Sequence, residues 1–288
     1  MRRVLPIVCL SLVLGSAAAS AQWLNYRTPG VPRTKDGKPR LDAPAPRAAD
    51  GHPDLSGVWM HEKMTADEVR QIFGAVVEER LKVNVPGMEL GTQHRYAFNI
   101  LFDFKQGQSP MRPEAEALMA KRSLASTRDG RCDVGGGILG IPLAGLLSDP
   151  MKLVQAPRLT IVMYEAGGNH RQIYSDGRKL PAEFNLPAYF GYSTGHWQGD
   201  TFVVETAGFN DKTILDVANH PHSDSLRVVE RFRRPDFGHL DVEMTFDDPK
   251  LYNRPFTIRV PHNLMADDDI FETFPENERD CAHIAVKK

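Results

Sequence analysis

From Lys152 onward, apolar and polar residues alternate in short runs separated by turn residues, and this pattern constrains the fold more than any other feature of the chain. Side chains along a strand point to opposite faces in turn. Leu240, Val242, Met244 and Phe246 set against Asp241, Glu243, Thr245 and Asp247 therefore read as one buried and one solvated face. Leu226, Val228, Glu230 and Phe232 against Arg227, Val229, Arg231 and Arg233 give a second such strand, and Thr201 to Thr206 reads as a further strand. Leu159, Ile161 and Met163 alternate with Thr160, Val162 and Tyr164, and Arg171 to Asp176 returns the chain after Gly167-Gly168-Asn169. Gln198-Gly199-Asp200 and Pro235 to Gly238 mark further hairpins, and Phe256, Ile258, Val260 and then Ile270, Glu272, Phe274 extend the series. Successive hairpins predict an antiparallel meander, and this many strands close into a barrel or split into a sandwich. The expected class is mainly β, an antiparallel β-barrel over residues 56–288.

Two other segments flank or interrupt that pattern. Residues 22–55 are rich in Pro, Gly and charge, and contain a repeat: Pro32-Arg33-x-x-Asp36-Gly37-x-Pro39-x-Leu41 recurs as Pro46-Arg47-x-x-Asp50-Gly51-x-Pro53-x-Leu55. Each copy holds an Asp-Gly turn and a proline that interrupts regular pairing, so the segment is expected to form an extended arm over the surface or a flexible tether. After the first strand, Ser56 to Met60, a small helical insertion is expected at about 64–125. Thr65 with Glu68 forms a capping box ahead of Val69, Ile72, Phe73, Val76, Val77 and Leu81, and Pro113 opens a later helix. His94 to Phe104 is open to either strand or helix.

The first residues place the protein outside the cytoplasm. Arg2 and Arg3, an apolar run from Val4 to Leu14 and the small residues Ala19-Ser20-Ala21 read as a secretory signal over residues 1–21, which implies a periplasmic or secreted protein. Loss of that segment moves the formal net charge from -2 to -4, since 33 of the 35 Lys and Arg remain against 37 Asp and Glu. Nucleic acid and membrane insertion are therefore not expected, and a small molecule is the expected partner. Cys132 and Cys281 remain, read either as one disulfide or as two buried thiols.

The chemistry rests on charges that share parity with apolar residues. Glu230 sits with Leu226, Val228 and Phe232, Arg171 with Ile173, and Glu272 with Ile270 and Phe274. A charge facing a core is costly unless paired or used. One reading is a buried Arg-carboxylate network that closes the barrel. The other is a cavity in which an apolar wall makes Glu230 a general base, with Arg171 stabilising developing negative charge and Tyr192 or His222 supplying a proton. Arg178, Asp176, Asn210, Trp197 and Glu272 are the candidate substrate contacts. His220, His222 and Glu230 form an alternative set of ligands for a divalent metal. Gly191-x-Ser193-x-Gly195 mimics a nucleophile elbow, but Trp197 to Asp200 continues as a hairpin where an elbow requires a helix. The Gly-rich stretch 128–150 lacks the Lys-Ser/Thr pair of a phosphate loop and reads as a lid or a structural loop.

Several of these blocks together resemble a family of secreted bacterial proteins. The shared motifs are Pro-Arg-x-x-Asp-Gly-x-Pro-x-Leu-Ser-Gly-x-Trp, found here from Pro46 to Trp59, and Asp176-Gly177-Arg178. A Gly-x-Ser-x-Gly-x-Trp-x-Gly-Asp-Thr hairpin from Gly191 to Thr201 follows, then Pro221-His222-Ser223 with Glu230-Arg231-Phe232. The resemblance spans nearly the whole chain after the signal and implies little chemistry. Two departures stand out: Phe274 occupies a place where the family often has cysteine, and the loop after Cys132 is longer. Gly57-x-Trp59 leading into a meander also resembles the opening strand of lipocalins and other calycins, which implies a barrel with a ligand cavity.

The expected function is an exported enzyme of lyase or isomerase type, acting without a cofactor on a small hydrophobic or aromatic molecule. The alternatives are a non-catalytic, lipocalin-like binding protein and the metal-dependent enzyme.

Overall fold

Alternation in the sequence becomes burial in space. The computed structural model describes residues 27–74, 94–121, 150–165 and 169–270. Nine strands form one closed barrel: β1 (Gly57–His61), β2 (Met151–Ala156), β3 (Leu159–Tyr164), β4 (His170–Tyr174), β5 (Tyr192–Gln198), β6 (Thr201–Ala207), β7 (Arg227–Arg233), β8 (His239–Asp247) and β9 (Phe256–Leu264). Each pairs with its neighbours in chain order, and β9 closes on β1 through Trp59 with Leu264 and His61 with His262. Closure leaves no sheet edge open to another chain.

One seam departs from the expected meander. β4 and β5 run parallel, paired only at Ile173 with Ser193 and Tyr174 with Thr194, so the barrel is mixed. Parallel neighbours require a long connection, and residues 175–191 supply it by carrying the chain back to the end where β4 began. The series expected to run on through Ile270 to Phe274 stops with β9 at Leu264, and residues beyond Ile270 lie outside the described residues.

Inward positions fill the barrel with large apolar groups, among them Trp59, Met151, Val204, Phe232, Met244 and Phe246, each almost wholly buried. Burial of a side chain of this size contributes roughly 1.5–3 kcal/mol. On β3 the buried face is Thr160, Val162 and Tyr164, while Leu159, Ile161 and Met163 are half-buried on the outer face. This choice sets Val162 beside Arg171 of β4 and sends Tyr164 inward.

The helical insertion leaves from the end of β1 and returns to the start of β2, so it lies at one end of the barrel. α1 (Ala66–Phe73) begins with the capping box, in which the Thr65 hydroxyl accepts from the Glu68 backbone N–H and the Glu68 carboxylate accepts from that of Thr65. It ends at Gly74, so Val76, Val77 and Leu81 lie outside the described residues. The segment left open between strand and helix forms the short α2 (Arg95–Phe98), and α3 (Pro113–Lys121) begins at the expected proline. α2 is tied to the β6–β7 connection, since Val217 N–H donates to Ala97 and Ile100 N–H donates to Asp216 Oδ2.

At the other end lies the arm. Its two repeats fold into matching tight hairpins, bridged at Arg33 with Pro39 and at Arg47 with Pro53. In each copy the arginine donates to its own glycine carbonyl, Gly37 or Gly51, and pairs with a barrel aspartate, Asp267 or Asp200. Arg234 closes this end from below. It donates to the carbonyls of Asp54, Ser56, Asp236 and Phe237 and stacks on Trp59, and burial pushes its pKa down to about 10.

Candidate functional site

The parallel seam is where polar chemistry meets a concavity. Beyond its two paired positions β4 and β5 separate, and a pocket of about 350 Å³ lies there, bounded by β4, the connection 175–191 and the start of β5. Tyr174, Phe190 and Tyr192 form aromatic walls, and Arg171, Arg178 and Lys179 line it as well.

Local sequence explains the shape. Asp176-Gly177-Arg178 is a turn in which the Asp176 carboxylate accepts from both the backbone N–H and the guanidinium of Arg178, with Gly177 at φ 88°. These bonds hold the Asp176 carboxyl below, and the Arg178 guanidinium above, its ordinary pKa. Arg178 in turn covers the Tyr174 ring at 3.7 Å, a cation-π contact. At the start of β5, Gly191 has φ 61°, and a Cβ there would stand 2.8 Å from the Ala207 carbonyl oxygen. Only glycine lets the chain enter the strand so close to β6.

Arg171 links the pocket to the barrel interior. It is part of the pocket lining, yet its side chain is only 3% exposed and is bonded bidentately to Glu230, which has no exposed surface, at 3.1 and 2.5 Å. Burial alone would lower the pKa of Arg171, but the Glu230 carboxylate and the neighbouring Tyr164 outweigh it and leave the guanidinium above its ordinary value. Burial pushes the Tyr164 phenol up to about 12, with Glu230 adding to the shift and Arg171 opposing it. The group is thus a guanidinium-carboxylate pair beside a neutral phenol. The Arg171 Nε–H is buried without an acceptor among the described residues.

The remaining sequence candidates are distributed. Tyr192 is at the pocket rim, 39% exposed, and its hydroxyl donates to the Leu186 carbonyl at 2.6 Å. Arg171, Arg178 and Tyr192 therefore share one pocket, with Asp176 bonded behind Arg178. His222 is buried in the β6–β7 connection, with Nε2 2.7 Å from the Thr213 hydroxyl and Nδ1 3.1 Å from the Ser223 carbonyl. Asn210 caps the start of that connection by accepting from the Lys212 N–H. Trp197 is at the far end of β5, stacked on His52 of the arm with ring centroids 4.6 Å apart. Glu272 lies outside the described residues.

His220, His222 and Glu230 are held by different partners, Asp216, Thr213 and Arg171. Among the described residues no group of three or more His, Cys, Asp or Glu is placed to hold a metal ion. Ser193 is buried and hydrogen bonded to Thr206 at 2.9 Å on a strand that runs on into a hairpin, so Gly191-x-Ser193-x-Gly195 is a strand element here. Gly195 serves packing: a Cβ would fall 2.4 Å from Phe202 Cζ.

Sequence reasoning missed Lys179, His170 and the role of Tyr164. Tyr164 was legible as an inward position once the buried face of β3 was chosen, whereas Lys179 and His170 are ordinary exposed residues in sequence. Compared with protein-family models, with curated proteins and with solved structures, the chain matches none.

Proposed function

We propose that this is an exported small-molecule-binding protein, which takes a compact aromatic or hydrophobic ligand into the pocket at the β4–β5 seam. The observation that carries this reading is the pocket itself: three aromatic walls and a few fixed polar groups at the barrel's shortest seam. Its volume is at the small end of ligand sites, which suits a molecule of one or two rings. The resemblance to a secreted family and the signal-like residues 1–21 support export. An acid/base enzyme would need a carboxylate able to take a proton from a ligand. Glu230 gives both oxygens to Arg171, so binding is the better reading of this geometry.

The test uses 2-naphthol as probe, followed by saturation-transfer NMR and by titration against the Thr194→Trp variant, in which an indole fills the pocket. Binding by the parent protein and its loss in the variant, with the circular dichroism spectrum retained, is the expected result. Absence of binding, or binding indifferent to the substitution, overturns the proposal.

A further inference from the structure

We infer that the pocket at the β4–β5 seam selects organic anions, and specifically aromatic carboxylates, an inference that rests on the small-molecule reading above and narrows it. Arg171, Arg178, Lys179 and His170 line the pocket, and among the described residues no Asp or Glu lines it. The acids that belong to this region stand behind the cations. Asp176 grips Arg178 from within its own turn, and Glu230 grips Arg171 from the barrel interior.

Arg171 and Glu230 are buried together, whereas Arg178 and Asp176 keep 51% and 24% of their side-chain surface exposed. Each carboxylate fixes the orientation of a guanidinium, so little side-chain freedom is left to lose when an anion docks. Lys179 is left as the cation whose ammonium makes no ion pair among the described residues. Arg171 adds a buried Nε–H without an acceptor among the described residues. A donor in that condition favours an approaching acceptor, and a charged one most.

The rest of the lining fixes the ligand's body. Tyr174, covered on one side by Arg178, and Phe190, stacked on Tyr164 at 5.7 Å, offer flat surfaces. An aromatic ring placed between them brings a ring carboxylate to the cationic edge. A planar carboxylate matches guanidinium geometry and gains charge-assisted hydrogen bonds from Arg or Lys, which an amide of the same shape does not. With both guanidiniums paired, Lys179 supplies the uncompensated positive charge that attracts such anions from solution.

The experiment compares 2-naphthoate with 2-naphthamide, its neutral isostere, by isothermal titration at low and at moderate salt. The expected result is about tenfold tighter binding of the acid, a difference of roughly 1.4 kcal/mol, that shrinks as salt rises. Lys179→Met should remove most of that preference, and Lys179→Arg should keep it. Equal affinity for acid and amide, or a preference that survives Lys179→Met and high salt, overturns the anion inference and leaves the binding reading standing. Failure of both probes and of 2-naphthol to bind overturns both.

Discussion

Arg171 on β4 and Glu230 on β7 are joined by two hydrogen bonds inside the barrel, although β5 and β6 lie between their strands. The pair therefore fixes the relation of two non-adjacent strands that no backbone ladder connects. A buried ion pair adds little net stability over an apolar pair of similar size, because both ions lose their hydration, but removal of one partner strands the other charge. Glu230→Gln is expected to cost about 3–5 kcal/mol in urea unfolding, and the double replacement Arg171→Met with Glu230→Leu to recover most of it. A double variant as unstable as the single one would contradict this account.

Gly195 leads to a sharper packing prediction. The space its missing Cβ would occupy is filled by Phe202, with Cζ 2.4 Å away, and Ile173 Cγ2 stands 3.0 Å off. Gly195→Ala is expected to destabilise by about 1–3 kcal/mol through overpacking. Adding Phe202→Leu should return much of the loss. Differential scanning calorimetry of the parent and the two variants checks it, and a Gly195→Ala protein as stable as the parent would refute it.

Much of the barrel was legible because β7 and β8 each alternate a buried face with a more accessible one, which parity reads directly. β3 was harder, since Leu159, Ile161 and Met163 are as apolar as the residues that are actually buried. The parallel seam was illegible for a different reason. Nothing in residues 175–191 forms a regular element, and only the distance the chain travels there reverses the expected direction of β5. The site follows the same division. Glu230 and Arg171 stood out one by one as inward charges, but their pairing depends on how β4 and β7 face each other across a closed barrel. Lys179 and His170 gain meaning only from the pocket that the seam creates.

The duplicated clasps of the arm should differ in strength despite matching geometry. Arg33 and Asp267 are about one-fifth exposed, whereas Arg47 and Asp200 are more than half exposed. Solvent screening weakens exposed pairs and falls hardest on the second clasp. Arg33→Ala is expected to raise amide exchange in the first hairpin more than Arg47→Ala raises it in the second, with little change in global stability. Hydrogen exchange read by mass spectrometry distinguishes the two, and an equal or reversed effect would show that exposure does not set their worth.

His94 makes stability depend on pH at the helical end. It caps α2 by accepting the Tyr96 N–H at Nδ1, and its ring meets that of His61 edge-on at 5.9 Å. Burial first, then Arg95, His61 and His262, push its pKa down to about 2 from an ordinary 6.5. The folded protein therefore keeps His94 neutral while the unfolded chain binds a proton below pH 6.5. Stability from this residue is fully present above that pH and is lost progressively as pH falls toward 2, at about 1.4 kcal/mol per unit. His94→Asn keeps a good cap without a titrating ring. Unfolding free energies measured between pH 7.5 and 5 should fall less steeply for His94→Asn than for the parent, and parallel curves would show that His94 is protonated in the folded state.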